Sequence, residues 1–177
     1  MGTKTFNITR AEQADLHGIK NLMLKALKED PLAFSVTFEE YKDNSDSWWN
    51  SYLSPFFSNF YQTMILAKDE NKISGMVGVI YDHKIRKKHI AAIVWFYVDP
   101  EYRKLGLGKK LMVTLTNDIL KNSEIKKLSL LVNEPQKQAI KIYKKLGFSK
   151  SGKLKNELNF NGQFYDVLIM EKMVNGL

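Results

Sequence analysis

Cysteine is absent from the chain, which excludes a disulfide, a thiolate-ligated zinc or iron–sulfur centre and a cysteine nucleophile. Histidine is scarce, at 3 residues, and no grouping of His, Asp and Glu has metal-ligand spacing, so no metal is expected. No segment approaches the roughly 20 apolar residues of a membrane span. The opening stretch MGTKTFNITR lacks the apolar core of a signal peptide, so a cytoplasmic protein without membrane contact is the expectation. Linkers rich in Pro, Gly or Ser, internal repeats and low-complexity tracts are missing too, which predicts one domain over residues 1–177.

What is present is the balance of a folded chain. Hydrophobic residues make up 44% and charged residues 26% of the 177, a length that buries roughly 70% of the unfolded surface. The net charge of +8 is unevenly spread: residues 1–82 hold 8 basic and 11 acidic side chains, residues 83–177 hold 19 and 8. A basic second half suits a nucleic acid, an anionic surface or a small ligand with several phosphates.

Phe6 and Ile8 alternate with polar neighbours as a first strand, and Leu16, Ile19, Leu22, Met23 and Leu27 recur at helical spacing up to Pro31. Phe38 to Leu53 reads as a second helix carrying Tyr41, Trp48, Trp49 and Tyr52, and Ser54 to Asn59 shows no pattern. Met64–Ala67 and Ile73–Tyr81 read as strands joined at Asp69-Glu70-Asn71, and Ile90–Val98 as a strand ended by Asp99-Pro100. Leu107, Leu111, Leu115 and Ile119 share one stripe of a helix beginning near Gly106. Leu128–Val132 is another apolar strand. Asn133 is then placed as the N-cap of a helix with Ala139, Ile140, Tyr143 and Leu146 on one face and Gly147 at its C′ position. Phe164–Met173 closes the sheet, and the run from Ile90 to Val132 is a βαβ unit whose strands should be parallel.

Chemistry concentrates in Val98 to Leu111, VDPEYRKLGLGKKL. Gly106 and Gly108 remove side chains where the chain turns into a helix, so backbone N–H groups face outward beside the positive end of the helix dipole. A pyrophosphate fits such a turn, and Arg103, Lys104, Lys109 and Lys110 surround it with positive charge. A Walker loop would need a glycine where Arg103 stands, and a dinucleotide fingerprint would need one at Leu111; neither condition is met.

Arg103-Lys104-Leu105-Gly106-Leu107-Gly108 resembles the R/Q-x-x-G-x-G/A signature of the GNAT N-acetyltransferases. Tyr97-Val98-Asp99-Pro100-Glu101-Tyr102 before it is similar to the family's strand end. The block from Asn133 through Ala139 to Tyr143-Lys144-Lys145-Leu146-Gly147-Phe148 and the closing Gly162–Met170 follow in the family's order. The resemblance implies an α/β fold with a mixed, mostly antiparallel sheet of six to seven strands, a splayed parallel pair, and helices on both faces. It implies acetyl-CoA as cosubstrate and an amine as acceptor, with direct attack in a ternary complex. It further implies that the amides of Lys104, Leu105, Gly106, Leu107, Gly108 and Lys109, beside Arg103, hold the pyrophosphate, and that the edge of Phe96, Tyr97 and Val98 pairs with the pantetheine arm. Asn133 and Ala139 then belong to the coenzyme site, Asn133 where the sheet opens for the thioester, and Tyr143 faces the sulfur as the catalytic residue. A homodimer is left open as the assembly.

Acyl transfer to nitrogen needs a neutral amine and a proton for the departing thiolate, whose thiol has a pKa near 8.5; a tyrosine hydroxyl can supply that proton. Many family members carry a glutamate as general base four residues before the valine that ends the fourth strand. Val94 stands there, which leaves His89, Glu39, Glu40 or a chain of waters as substitutes. Plainer readings exist for each residue. Gly106 and Gly108 alone make a permissive turn, Tyr143 a packing residue with its hydroxyl towards solvent, Asn133 a cap. Trp48, Trp49 and Tyr52 would pack a helix on its sheet, and Lys84, Arg86, Lys87 and Lys88 would form a solvated hairpin tip. The rival functions are a nucleic-acid-binding module, which lacks a recognition motif, and a non-catalytic acyl-CoA sensor. Over the expected acceptor entrance, residues 30–60, Glu39, Glu40, Asp43 and Asp46 face the single lysine Lys42, an arrangement that favours a cationic amine.

Overall fold

The computed structural model describes residues 6–58, 61–69, 72–174 and 176. Asn59, Glu70 and Asn71 lie outside the described residues, and with them the middle of the expected turn after Asp69. The strands are β1 (Asn7–Arg10), β2 (Gln62–Asp69), β3 (Lys72–Tyr81), β4 (Ile90–Val98), β5 (Lys127–Asn133), β6 (Ser149–Phe160) and β7 (Gln163–Met173). The helices are α1 (Leu16–Glu29), α2 (Phe38–Tyr41), α3 (Asp46–Ser58), α4 (Leu107–Ile119) and α5 (Lys137–Lys145). One sheet runs in the order β1-β2-β3-β4-β5-β7-β6. Its neighbours are antiparallel except β4 and β5, which are parallel as the βαβ reading requires.

Each helix is placed by its apolar stripe. Ile19, Leu22, Met23 and Ala26 of α1, with Trp49, Leu53 and Phe56 of α3, pack on Met64, Leu66 and Met76 of the sheet. On the other face Leu107, Leu111, Met112 and Leu115 of α4, with Ile140 and Tyr143 of α5, pack on Ile65, Val77, Val79, Leu128 and Leu130. Helices thus cover both faces, as expected.

Four local readings are corrected. The single helix over Phe38–Leu53 is two helices: α2 ends at Tyr41, and α3 begins afresh at Asp46, where the Ser45 hydroxyl accepts from the Trp48 amide at 3.2 Å. The stretch after Leu53 stays helical to Ser58 through Pro55. Proline has no N–H for the Ser51 carbonyl, and the Ser54 hydroxyl donates to that oxygen instead, at 3.3 Å. Asn133 caps nothing: it ends β5, and α5 starts four residues later behind Gln136. Strand β6 escaped the periodicity reading because it is a mostly exposed edge strand with little apolar alternation. Its only sequence mark is Asn161-Gly162, whose φ values of 51° and 83° make a hairpin turn.

Two irregularities open the sheet. Strand β4 pairs with β5 only at Ile90, Ala91 and Ala92, after which β5 pairs with β7 alone. Opposite β3, Val94 matches Gly78 and Tyr97 matches Met76, so β4 carries one extra residue. Trp95, at φ 52°, is the one in the left-handed region. Beyond it the side chains alternate, Phe96 and Val98 towards α4 and Tyr97 towards α1.

Asp99 fixes the end of β4. Its buried carboxylate accepts from Lys25 of α1 at 2.8 Å and from the Glu101 amide at 3.1 Å. Burial pushes its pKa up, but the Lys25 hydrogen bond, the amide and the nearby Lys25 and Lys72 charges outweigh that and hold it below the usual aspartate value. A depressed pKa means stability present above pH 3.8 and lost as pH falls through the folded-state value. Asp99→Asn is expected to cost about 1–2 kcal/mol at pH 7, discounted because Lys25 is a third exposed. Urea melts should show that gap narrowing towards pH 3, and a gap independent of pH would contradict the account.

Candidate active site

The opening between β4 and β5 is walled differently on its two sides. On the α4 side the unpaired stretch of β4 presents Phe96, whose ring centroid lies 5.7 Å from that of Tyr143, while Phe148 stands 6.1 Å from Tyr143 on the far side. Tyr143 is buried, and burial raises its hydroxyl above the ordinary value of 10.0. Its hydroxyl makes no hydrogen bond among the described residues, so the neutral phenol is a free donor at the edge of the buried cluster. The ring is thus deeply packed, while the hydroxyl keeps the solvent-facing edge expected of it. Ala139, one turn earlier on α5, lines the same cluster.

The turn from β4 into α4 is shaped by backbone conformation. Lys104 and Gly106 have φ values of 66° and 77°, and Gly106 is the N-cap of α4 with no side-chain cap. The first amide of the turn to be taken up is that of Lys110, by the Gly106 carbonyl at 3.1 Å. The preceding helical amides, Leu107, Gly108 and Lys109, therefore point along the axis as orphan donors. A Cβ built on Gly106 meets nothing within 4 Å, whereas one on Gly108 would lie 3.1 Å from the Phe96 ring. The two glycines thus do different things: Gly106 supplies the left-handed turn beside open space, and Gly108 lets α4 approach Phe96. Leu105 is exposed and Leu107 sits in the core, so each can serve such a site only through its backbone.

On the α1 side a strap of chain, residues 30–34, crosses the opening. Arg103 Nη2 bonds the Asp30 carboxylate while its Nε donates to the Val98 carbonyl at 2.9 Å. Asn133 Nδ2 donates to the Leu32 carbonyl across the gap. Phe34 lies on Trp95, at 5.2 Å between centroids, and the Tyr97 hydroxyl donates to Glu29 at 3.1 Å. The strap's contacts with both lips left no mark in the sequence, because they join residues about 70 and 100 positions apart.

The structure brings Phe96, Tyr97, Val98, Arg103, Gly108 and Tyr143 into one constellation and sets Asn133 on the opposite lip. The substitute bases are not assembled there. His89 precedes β4 at its paired end, five strand residues or roughly 16 Å from Val94. Glu40 accepts from the Thr37 amide and hydroxyl, which lower its pKa, and Glu39 pairs with Lys42 at 2.5 Å. A cavity of about 680 Å³ around Arg10, Tyr81, His83 and Asp118 lies at that same paired end, away from Tyr143.

Comparison with known proteins agrees with this geometry. The profile of the Acetyltransferase (GNAT) family matches residues 22–148, and the chain belongs to that family. It is 31% identical over 97 residues to spermidine N(1)-acetyltransferase of Escherichia coli (strain K12), covering 55% of this chain and 50% of that one. It is 34% identical over 73 residues to the spermine/spermidine N(1)-acetyltransferase of Bacillus subtilis (strain 168), covering 40% and 45%. The chain spans about half the length of these curated relatives. Among solved structures, a GNAT-family acetyltransferase from Streptococcus pneumoniae superposes with a TM-score of 0.85 at 23% identity, over 96% of this chain and 100% of that one. A phosphinothricin acetyltransferase from Sinorhizobium meliloti, crystallised with AcCoA, gives 0.82 at 18% identity over 96% and 89%. These two share the fold.

The different duties of the glycines are separable by melting experiments. Gly106→Ala is expected to cost about 1–2 kcal/mol through its left-handed φ, and Gly108→Val about 1–3 kcal/mol through overpacking. Adding Phe96→Leu should recover part of the Gly108→Val loss and none of the Gly106→Ala loss; equal recovery in both would refute the assignment.

Proposed function

We propose that the protein transfers an acetyl group from acetyl-CoA to a primary amine of a small cationic compound, with polyamines as the acceptor class. The observation that carries this reading is the pairing of three orphan amides at the start of α4 with an unpaired strand edge and a buried, protonated Tyr143. The amides of Leu107, Gly108 and Lys109, beside Arg103 and Lys104, suit a pyrophosphate, and the open space at Gly106 leaves room for it. The edge of Phe96–Val98 that β5 leaves unpaired, its Val98 carbonyl bonded by Arg103, offers backbone groups to an amide-bearing arm. The relatives named for spermidine and spermine support the acceptor class.

The acidic rim supports it less strongly than its composition suggests. Glu39 is paired with Lys42, Asp46 with Lys20 at 2.7 Å, and Glu40 caps α2, so its field is partly neutralised locally. Residues 37–46 nevertheless keep four carboxylates against one lysine.

In this reaction the amine nitrogen forms a bond to the thioester carbon, the carbon–sulfur bond breaks, and Tyr143 gives its proton to the thiolate. Burial raises the phenol's pKa, so the donor form persists through neutral pH and does not titrate away below pH 10. Calorimetry should find acetyl-CoA binding, and a thiol-release assay should find turnover with spermidine. Tyr143→Phe is expected to lose on the order of 10²-fold in turnover with unchanged acetyl-CoA affinity. Binding without thiol release for every amine tried would instead make the protein an acyl-CoA sensor.

A further inference from the structure

The acceptor side of the opening has a polar centre that the family signature does not account for. Tyr52 of α3 reaches the bulge, and its hydroxyl oxygen accepts a hydrogen bond from Trp95 Nε1 at 3.0 Å. Its ring packs edge-on against Tyr41 of α2, at 5.7 Å between centroids. Burial is the main reason its pKa is raised. A phenol oxygen has one proton and two lone pairs. One pair is taken by Trp95, so one pair remains beside the proton. Val94 and Trp95 project to this same face, where the bulge sets two successive side chains side by side.

The charged groups of the surrounding elements are engaged elsewhere. Glu29 accepts from Tyr97 and lies 3.9 Å from Lys25, Asp30 holds Arg103, and Glu40 caps α2. Glu39 holds Lys42, which also feels Asp43, and Asp46 holds Lys20. Among the described residues no carboxylate is bonded to Tyr52, Trp95 or Tyr41, and the position where a base is expected carries valine.

The geometry points to Tyr52 as the residue that orients the acceptor amine, its remaining lone pair receiving one N–H of the attacking nitrogen while Trp95 holds the hydroxyl and Tyr41 packs against its ring. This rests on the acetyltransferase reading above and adds to it that the enzyme takes the acceptor as the free base. The nitrogen lone pair makes the C–N bond, one N–H stays on the Tyr52 oxygen, and the departing thiolate takes the Tyr143 proton. The proton then shed by the new amide nitrogen returns to the Tyr143 phenolate, so the acid form is restored and no enzyme carboxylate is protonated. The half-exposed rings of Phe34, Tyr41, Tyr52 and Trp95 and the exposed Trp48, stacked on Tyr52 at 4.9 Å, line the way to this point. They suit the alkyl chain and remaining ammonium of a slim cation.

Thiol release by the wild-type protein, Tyr52→Phe and Trp95→Phe, measured from pH 6 to 10 with two amines of different basicity, tests the assignment. In the wild type kcat/KM for the acceptor is expected to rise tenfold per pH unit and to level at each amine's own pKa. Tyr52→Phe should keep that profile, lowered roughly 10-fold, with calorimetric acetyl-CoA affinity unchanged; Trp95→Phe should fall in the same direction. A Tyr52→Phe protein with wild-type kcat/KM, or a break near neutral pH common to both amines, overturns the role. Loss of acetyl-CoA affinity in Tyr52→Phe also overturns it. Failure of the wild type to release thiol with any amine overturns the acetyltransferase reading itself, and is seen without any variant.

Discussion

Everything at the site depends on β4 abandoning β5 after three paired residues. A parallel pair held together along its whole length would satisfy its own backbone groups and leave no strand edge inside the sheet. Here the pairing stops at Ala92, the extra residue at Trp95 follows within the separated stretch of β4, and β5 keeps its ladder with β7 along its whole length. The result is a gap in the middle of a continuous sheet, flanked by rigid elements on both sides. A left-handed tryptophan is costly, of order 1–3 kcal/mol, and it is held by the Tyr52 hydrogen bond and by Phe34 packed against its ring.

The gap has two unlike sides because the sheet has two unlike faces. On one, α4 and α5 bring a helix N-terminus with orphan amides and a buried phenol against Phe96. That side joins apolar walls to orphan amides and basic side chains, a setting suited to an anionic ligand with an apolar arm. On the other, α1, the strap and α3 bring aromatic rings and carboxylates already engaged in ion pairs. Arg103 touches both, bonding the Val98 carbonyl and Asp30 together. Asn133 does the same from the opposite lip through Leu32.

The absence of a carboxylate at Val94 therefore has structural company. The groups that cover this face are phenols and an indole, with Trp95 Nε1 bonded to the Tyr52 hydroxyl. Such a surface offers ring faces and a phenol oxygen where a carboxylate is expected.

The amino-acid sequence by itself determined the elements with strong local signals. These are the stripe of α1, the buried strands β2 to β5, the glycine turn into α4 and the left-handed Gly147 after α5, each a matter of period or of one backbone conformation. The motif Arg103 to Gly108 carried the family. Only the tertiary structure decided the rest. Strand β6 is a strand because β7 offers it a ladder, not because its exposed residues alternate. Asn133 looked like a cap since asparagine before proline often is one, but the strap's Leu32 carbonyl, 101 positions away, claimed its side chain. Gly106 and Gly108 look alike in the motif, and the nearness of Phe96 gives them separate duties. The meeting of Tyr52 with Trp95 across 43 positions depends on a bulge with no local sequence mark, because the register it shifts is defined by the neighbouring strand.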